Sequence, residues 1–454
     1  MSNIFVLMRL ILFSFVVLSN FIFAQTDSIK IDSVKVNVVD SIKRSNEIDE
    51  VTITQFSVKK LNSPISTDVY SQQFFRKNPT PSIFESIAMV NGVKPQLNCS
   101  VCNTGDIHIN GLEGAYTMIL IDGMPIVSSL STVYGLSGIP NSLIDRIEIT
   151  KGPASSIYGS EAMGGIINII TKNALQAPNF SADMMTGNQG EINLDIAKKV
   201  IDNKNFSSLL SLNYFYFGNR IDQNKDNFTD TALQHRISFF NKWNFKRKES
   251  RLASFALRYF YEDRFGGEMQ WKKKNRGTDN VYGESIYTNR FEMFGIYQLP
   301  MKGKFLLQYS YNYHDQNSFY GNTPYMATQK VLFLQLNWEK QLGKHNLKSG
   351  ISYKSNFYDD NTPGTANLLG ENQPMKSPIA GIYVEDEWEI NDKNTLLIGY
   401  RYDYHKIHKS VHSPRLAWKF EPNPYNTLRL SFGTGFRVVN LFTEDHAALT
   451  GSRE

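Results

Sequence analysis

Residues 304–314 read Lys-Phe-Leu-Leu-Gln-Tyr-Ser-Tyr-Asn-Tyr-His, and the fold turns on their alternation. In an extended chain Phe305, Leu307, Tyr309, Tyr311 and Tyr313 share one face, while Lys304, Gln308, Ser310, Asn312 and His314 share the other. The same split separates Leu396, Ile398, Tyr400, Tyr402 and Tyr404 from Thr395, Gly399, Arg401, Asp403 and His405. It returns with Leu332, Leu334, Leu336 and Trp338 against Gln335, Asn337 and Glu339. A period of two with one lipid-like face and one strongly polar face marks a transmembrane β-strand. A soluble sandwich also alternates, so the connections have to decide. From about Phe180 onward, short links at 246–250, 300–303, 342–344, 390–393 and 421–424 alternate with longer polar ones at 218–232, 263–287, 315–329 and 359–376. Short turns on one side and long loops on the other are what a barrel with a periplasmic and an extracellular rim produces.

Working outward from these strands, 30 phenylalanines and 23 tyrosines gather mostly after residue 180. The mean hydropathy of −0.33 conceals this belt, because only every second residue of such a strand meets lipid. About thirteen strands are expected over residues 179–454. That number is odd where bacterial single-chain barrels are even, so the barrel is expected to be unfinished, with residues 437–454 opening a further loop. At the other end Arg9 precedes an apolar run, Leu10 to Phe23, closed by Ala24. Residues 1–24 read as a secretory signal peptide; the weak charge before the run and the bulk of Ile22 leave an uncleaved anchor as the alternative. Residues 25–60 form a polar lead. Residues 61–175 are expected to fold as a small α+β domain, with strands at 107–109, 117–121, 144–150 and 166–171 and a helix over 81–89. A net charge of +5, scattered along the chain, does not imply nucleic acid. No nucleophile, base and oxyanion arrangement is visible, so an enzyme is not expected.

The stretch Asp145-Arg146-Ile147-Glu148-Ile149-Thr150-Lys151-Gly152-Pro153-Ala154-Ser155-Ser156-Ile157-Tyr158-Gly159, continuing through Gly164-Gly165-Ile166-Ile167-Asn168-Ile169-Ile170-Thr171-Lys172, closely resembles the end of the plug domain of TonB-dependent outer-membrane receptors. Ile107-His108-Ile109-Asn110-Gly111 and Leu120-Ile121-Asp122-Gly123-Met124-Pro125 resemble two preceding plug motifs, in the same order. Asn110 stands where the family usually has arginine, which leaves open the ion pair found there. The resemblance implies a plug inside a 22-stranded antiparallel transmembrane barrel, a monomer surrounded by outer-membrane lipid. Arg146, Glu148 and Lys151 would face a polar lumen and pair with wall charges, for which Glu339, Glu385 and Glu387 are inward candidates. Simple solvation in a wet lumen is the bland alternative.

Glu50-Val51-Thr52-Ile53-Thr54 resembles the TonB box, the segment that the periplasmic domain of TonB captures. Its β-branched residues favour the extended strand that strand addition requires. The alternative is an ordinary first strand of the plug. By resemblance, the apical plug loops cover about residues 93–106 and 125–141. The first holds the only two cysteines, Cys99 and Cys102, which read as a disulfide stapling the loop, a thiolate contact to metal or haem, or free thiols. His405, His408 and His412 around one loop, and His314 on another strand, are candidate contacts to a metal chelate. Lys272, Lys273, Lys274 and Arg276 make one loop basic, which suits an anionic ligand or a lipopolysaccharide-facing surface. The implied function is active uptake of a scarce ligand, such as a ferric siderophore, haem, another metal chelate or cobalamin, with no resident cofactor. A glycan or oligopeptide importer, a passive porin and an adhesin are the alternatives.

Overall fold

The computed structural model describes residues 63–77, 79–99, 104–127, 138–153, 156–159, 162–423 and 425–438. The signal-peptide and TonB-box readings lie outside them.

The plug is built on a five-stranded sheet. Strands β1 (Thr67–Ser71), β4 (Thr117–Ile121), β5 (Met124–Val127), β6 (Ile144–Lys151) and β7 (Gly165–Thr171) lie in the order β1-β6-β7-β4-β5, and only the β4–β7 pair is parallel. A separate hairpin joins β2 (Val93–Cys99) to β3 (Thr104–Ile109). Two short helices, α1 (Gln72–Arg76) and α2 (Ile83–Ser86), flank the sheet. α2 starts where Ser82 accepts a hydrogen bond from the Glu85 backbone, and a 3-10 turn carries it to Met89, so the helix expected over 81–89 is present. Alternation in β6 and β7 aims Ile147, Ile149, Ile167 and Ile169 at one core, all essentially water-free. Each buried isoleucine of this kind contributes about 1.5–3 kcal/mol.

The remaining strands form one antiparallel sheet of thirteen, paired strictly in chain order. They are β8 (Phe180–Thr186), β9 (Ile192–Asp202), β10 (Phe206–Phe217), β11 (Leu233–Phe245), β12 (Ala253–Gly267), β13 (Gly283–Gln298), β14 (Lys304–Tyr320), β15 (Thr323–Leu342), β16 (His345–Asp360), β17 (Met375–Asn391), β18 (Asn394–His405), β19 (Lys409–Asn423) and β20 (Asn426–Gly433). Among the described residues β8 and β20 are not paired with each other, so the wall is open.

The wall is inside-out relative to a water-soluble protein. Arg236, Arg258, Glu292, Gln316, Lys348 and Glu385 point inward and are buried, whereas Leu332, Leu334, Ile351, Ile382, Val384 and Ile398 point outward and are exposed. That arrangement is stable only if the outer face meets hydrocarbon. The expected long loop at 315–329 is instead a tight hairpin. β14 and β15 stay paired up to Tyr320 and Thr323, and Gly321 supplies the left-handed turn at φ +58°. Residues 315–318 are polar, but a strand that rises beyond the lipid belt can be polar on both faces and still keep its ladder. The link at 406–408 is short for the same reason, so strict alternation of loop lengths holds only in part.

Candidate functional site

The plug meets the wall through polar groups and through two apolar clusters, one of which joins the plug isoleucines to Ala197, Leu209, Phe240, Ala256 and Phe294 of the wall. At the β4–β5 turn Asp122 and Gly123 both hold positive φ, +50° and +79°, the geometry that an Asp-Gly hairpin adopts readily. This turn aims the Asp122 carboxylate back at β7, where it accepts hydrogen bonds from the Thr171 backbone at 2.8 Å and its hydroxyl at 2.7 Å. Lys242 on β11 reaches the same carboxylate at 2.8 Å and donates to the Thr171 hydroxyl at 2.7 Å. The pair is largely dry, with 8% and 14% of the two side chains exposed, so each charge depends on the other.

A second contact forms where the chain turns after β6. The Ser156 backbone N–H donates to Glu385 on β17 at 3.0 Å. Arg401 on β18 donates to the Ser156 and Ile157 carbonyls at 3.4 Å and is fixed by Asp403 at 2.7 Å. Gly159, at φ +72°, lies so near the Arg401 guanidinium that an added Cβ would come within 2.7 Å of its central carbon. Tyr158, Ile157, Met118, Leu120 and Ile166 pack with Leu306 and Tyr383 of the wall around this point. Burial pushes the Tyr158 phenol well above its usual range, so it stays neutral.

Several motif residues serve the plug itself. Ile109 is fully buried, and Asn110 at φ +52° and Gly111 at φ +83° make the turn after β3. Asparagine tolerates that conformation, and its backbone N–H donates to Gly92 at 2.8 Å. Gly152, at φ +83°, turns the chain toward Pro153, which sits against Gly433 of β20. Gly164 packs on Leu112 and Tyr116, and at Gly165 any side chain would strike the Thr150 carbonyl. Among the described residues Arg146, Glu148 and Lys151 find their ion-pair partners on the plug itself and not on the wall, where they were expected. Arg146 binds Asp145 and Glu148, both at 2.8 Å, and Lys151 binds Asp68 at 2.8 Å. The plug sheet is wide enough to place their partners on its own strands. On the wall, Glu339 pairs with Lys304 at 2.7 Å, and Glu385 reaches the plug through a backbone N–H instead of a cation.

Glu148 is perturbed by its burial. Burial raises its carboxyl to about 7, with Arg146 and a hydrogen bond from Asn168 opposing the rise. The folded plug thus holds this proton more tightly than the unfolded chain. Its stabilisation is fully present below about pH 4.5 and is lost as pH rises through about 7. Glu148→Gln should flatten the pH dependence of plug unfolding over roughly pH 5 to 8, measured by denaturant titration of the full-length receptor. An unchanged slope would show that Glu148 is not its source.

The ligand-facing candidates do not form one cluster. His405 points inward, shares a hydrogen bond with Ser377 at 2.9 Å and stacks on His408 with ring centres 5.0 Å apart. His412 lies on the outer face beside Tyr400 and Tyr402, because seven residues of an antiparallel turn bring it back with opposite parity. His314 is inward and buried, 3.3 Å from Arg290, which shares Glu292 with Arg258. No group of three or more His, Cys, Asp or Glu suited to a metal ion occurs among the described residues. Arg276 is drawn onto the outer wall: it lies over the Tyr287 and Phe319 rings, 4.5 Å from each, and bonds Ser285 and Asn317. Lys272 and Lys273 are carried on the same loop, and Lys273 approaches the outward Asp263 at 3.8 Å. The loop was expected to attract an anionic ligand or to face lipopolysaccharide, and Arg276 anchors it on aromatic rings of the outer face. Cys99 ends β2, and Cys102 lies outside the described residues. The contacts that sequence reasoning missed, Lys242 and Arg401, carried no signal beyond an inward position on an alternating strand.

A plug packed against an inside-out wall is matched by two family models, TonB-dependent Receptor Plug Domain over residues 59–166 and TonB dependent receptor-like, beta-barrel over residues 193–446. The chain belongs to the TonB-dependent receptor family. This receptor is similar to the iron-regulated outer membrane virulence protein of Vibrio cholerae serotype O1, with 24% identity over 90% of this chain and 63% of that protein. It is also similar to the ferric enterobactin receptor PirA of Pseudomonas aeruginosa, with 24% identity over 87% of this chain and 61% of that protein. Among solved structures, the siderophore receptor PirA from Pseudomonas aeruginosa superposes with a TM-score of 0.61 at 19% identity, over 83% of this chain and 63% of the other. PirA from Acinetobacter baumannii gives 0.63 at 18% identity, over 82% and 61%. That likeness carries the fold. The receptor spans about three-fifths of the length of these relatives. It is an outer-membrane β-barrel protein with a plug, and the PirA relatives are named as receptors.

Proposed function

We propose that this receptor imports an iron–siderophore complex across the outer membrane, using energy delivered through TonB. The observation that carries the proposal is the plug seated against the polar inner face of the wall and tied to it by contacts such as Asp122–Lys242, Ser156–Glu385 and Arg401 to the Ser156 and Ile157 carbonyls. A passive porin or an adhesin has no use for a plug tied in this way. The names of the relatives support iron chelates as the cargo class. To move, the plug would exchange hydrogen bonds with the wall for hydrogen bonds with water and would also part from the apolar wall residues it packs on, Phe240 and Phe294 among them. In this reading residues 50–54 would engage TonB on the short-turn side and ligand would arrive on the long-loop side. Cys99 and Cys102 would belong to an apical loop facing the ligand.

The test is growth of a deletion strain, with and without the receptor gene restored, on single nutrient sources: catecholate and hydroxamate ferric siderophores and haem for iron, and cobalamin, under cobalamin-limited conditions, as a control. Restoration on a ferric siderophore alone is the expected result. Rescue on haem or cobalamin alone would refute the siderophore reading. Orientation is checked separately. Protease added to intact cells should cut the 268–282 loop at Lys273 and spare Lys248 in the short turn; cleavage at Lys248 in sealed cells would reverse the assignment.

A further inference from the structure

Four successive short turns of the wall each carry a lysine: Lys204 between β9 and β10, Lys248 between β11 and β12, Lys302 between β13 and β14, and Lys344 between β15 and β16. All four are exposed, and among the described residues none pairs with a carboxylate. The acids nearby are taken by other cations: Asp202 by Lys199 and Lys246, Glu249 by Arg251, and Glu339 by Lys304. The next short turn ends the row, because its Lys393 adjoins Asp392.

Strand tilt decides whether these lysines share a depth. A line of directly opposed residues crosses the sheet through Asp202, Ser207, Asn244, Ser254, Ile296, Gln308 and Gln335. Measured along β9, β11, β13 and β15, Lys204, Lys248, Lys302 and Lys344 lie two, four, six and nine residues beyond that line. In a wall tilted by about 40°, constant depth requires a slip of about 2.4 residues for every two strands. The observed slips of two, two and three satisfy this, so the four turns stand at one level. Successive lysines are then about 12 Å apart along the rim.

That level lies past the lipid headgroups. Trp338 faces outward in the aromatic belt, and β15 runs on to Leu342, a drop of about 10 Å before the turn begins. The headgroup layer is only about 5–8 Å deep on each side.

We propose that Lys204, Lys248, Lys302 and Lys344 form a docking edge for the carboxylate-bearing peptides of the peptidoglycan layer. A compact anion calls for cations that converge on it, whereas these are set one to a turn along a level rim. An extended polyanion lying flat beneath the receptor meets them in succession, and several weak contacts combine into one strong one. The inference rests on the orientation given above, with the short turns toward the periplasm, and does not depend on which ligand is imported.

The experiment mixes purified full-length receptor, in a neutral detergent, with insoluble peptidoglycan sacculi and measures the fraction that sediments. The parent protein should sediment at low ionic strength and be released at about 1 M salt, where charges are screened beyond about 3 Å. Combining Lys204→Glu, Lys248→Glu, Lys302→Glu and Lys344→Glu should lower the bound fraction about fivefold or more, and the four corresponding Lys→Arg changes should preserve it. Sacculi whose carboxylates have been amidated should fail to hold the parent protein, a comparison that needs no variant to fold. Equal sedimentation with amidated sacculi, or of the glutamate variant, would overturn the proposal. So would a parent protein that stays in solution at low salt; flotation with phosphatidylglycerol vesicles, lost in the glutamate variant, would then assign the row to lipid. Because sedimentation is read without any imported ligand, its failure is distinct from a failure of the uptake reading.

Discussion

Replacing Thr52 or Ile53 with proline should abolish accumulation of ligand while leaving its binding at the cell surface intact. Proline fixes φ and removes a backbone donor, and both changes prevent residues 50–54 from adding as a strand to the edge of a TonB domain. The segment precedes the plug core, so the barrel should assemble and the plug should still be held at Asp122 and Ser156. Surface binding and accumulation are measured side by side on cells carrying the full-length receptor and its variant. Accumulation should fall to the level of the deletion strain. Unchanged accumulation would reduce residues 50–54 to a tether, and loss of binding together with uptake would indicate misfolding.

Removing the Asp122 carboxylate should weaken the hold on the plug more than removing its partner. Asp122→Ala leaves the Lys242 ammonium in a dry position with only the Thr171 oxygens for company, and it also strips two acceptors from Thr171. Stranding a buried charge in this way costs about 3 kcal/mol or more. Lys242→Ala is milder, since the Asp122 carboxylate keeps both hydrogen bonds from Thr171. Denaturant titration of the full-length receptor, monitored by protease access to the plug, should rank Asp122→Ala well below Lys242→Ala. Barrel resistance to detergent should be unaffected in both. Equal stability of the two variants would show that Lys242 is solvated independently of the plug.

The barrel strands and the plug motifs were legible because their patterns are local. Alternation in 304–314 or 394–405 is set by the two-residue repeat of a strand and needs no knowledge of a neighbour. Where the strands leave the lipid that signal weakens, and polar residues 315–318 looked like a loop although they continue the ladder. The partners of charged residues were less readable still. Arg146 finds Glu148 two residues away, whereas Ser156 meets Glu385 across 229 positions, and no sequence rule distinguishes the two cases. Parity alone would have separated His405 from His412, since residues seven apart across a three-residue turn fall on opposite faces.

The strict chain order of the wall has a kinetic consequence. Every strand from β9 to β19 pairs only with the strand before it and the strand after it, so each register is fixed by a hairpin whose closure involves few residues. The plug is tied to that wall across 229 and 245 positions, contacts whose closure entropy is far larger. Hairpins should therefore gain protection from proteolysis before Asp122 and Ser156 find their partners during insertion. Pulsed protease during refolding into lipid would reveal this order, and a plug protected before the hairpins would contradict it. The wall then serves as the template on which the plug completes its fold.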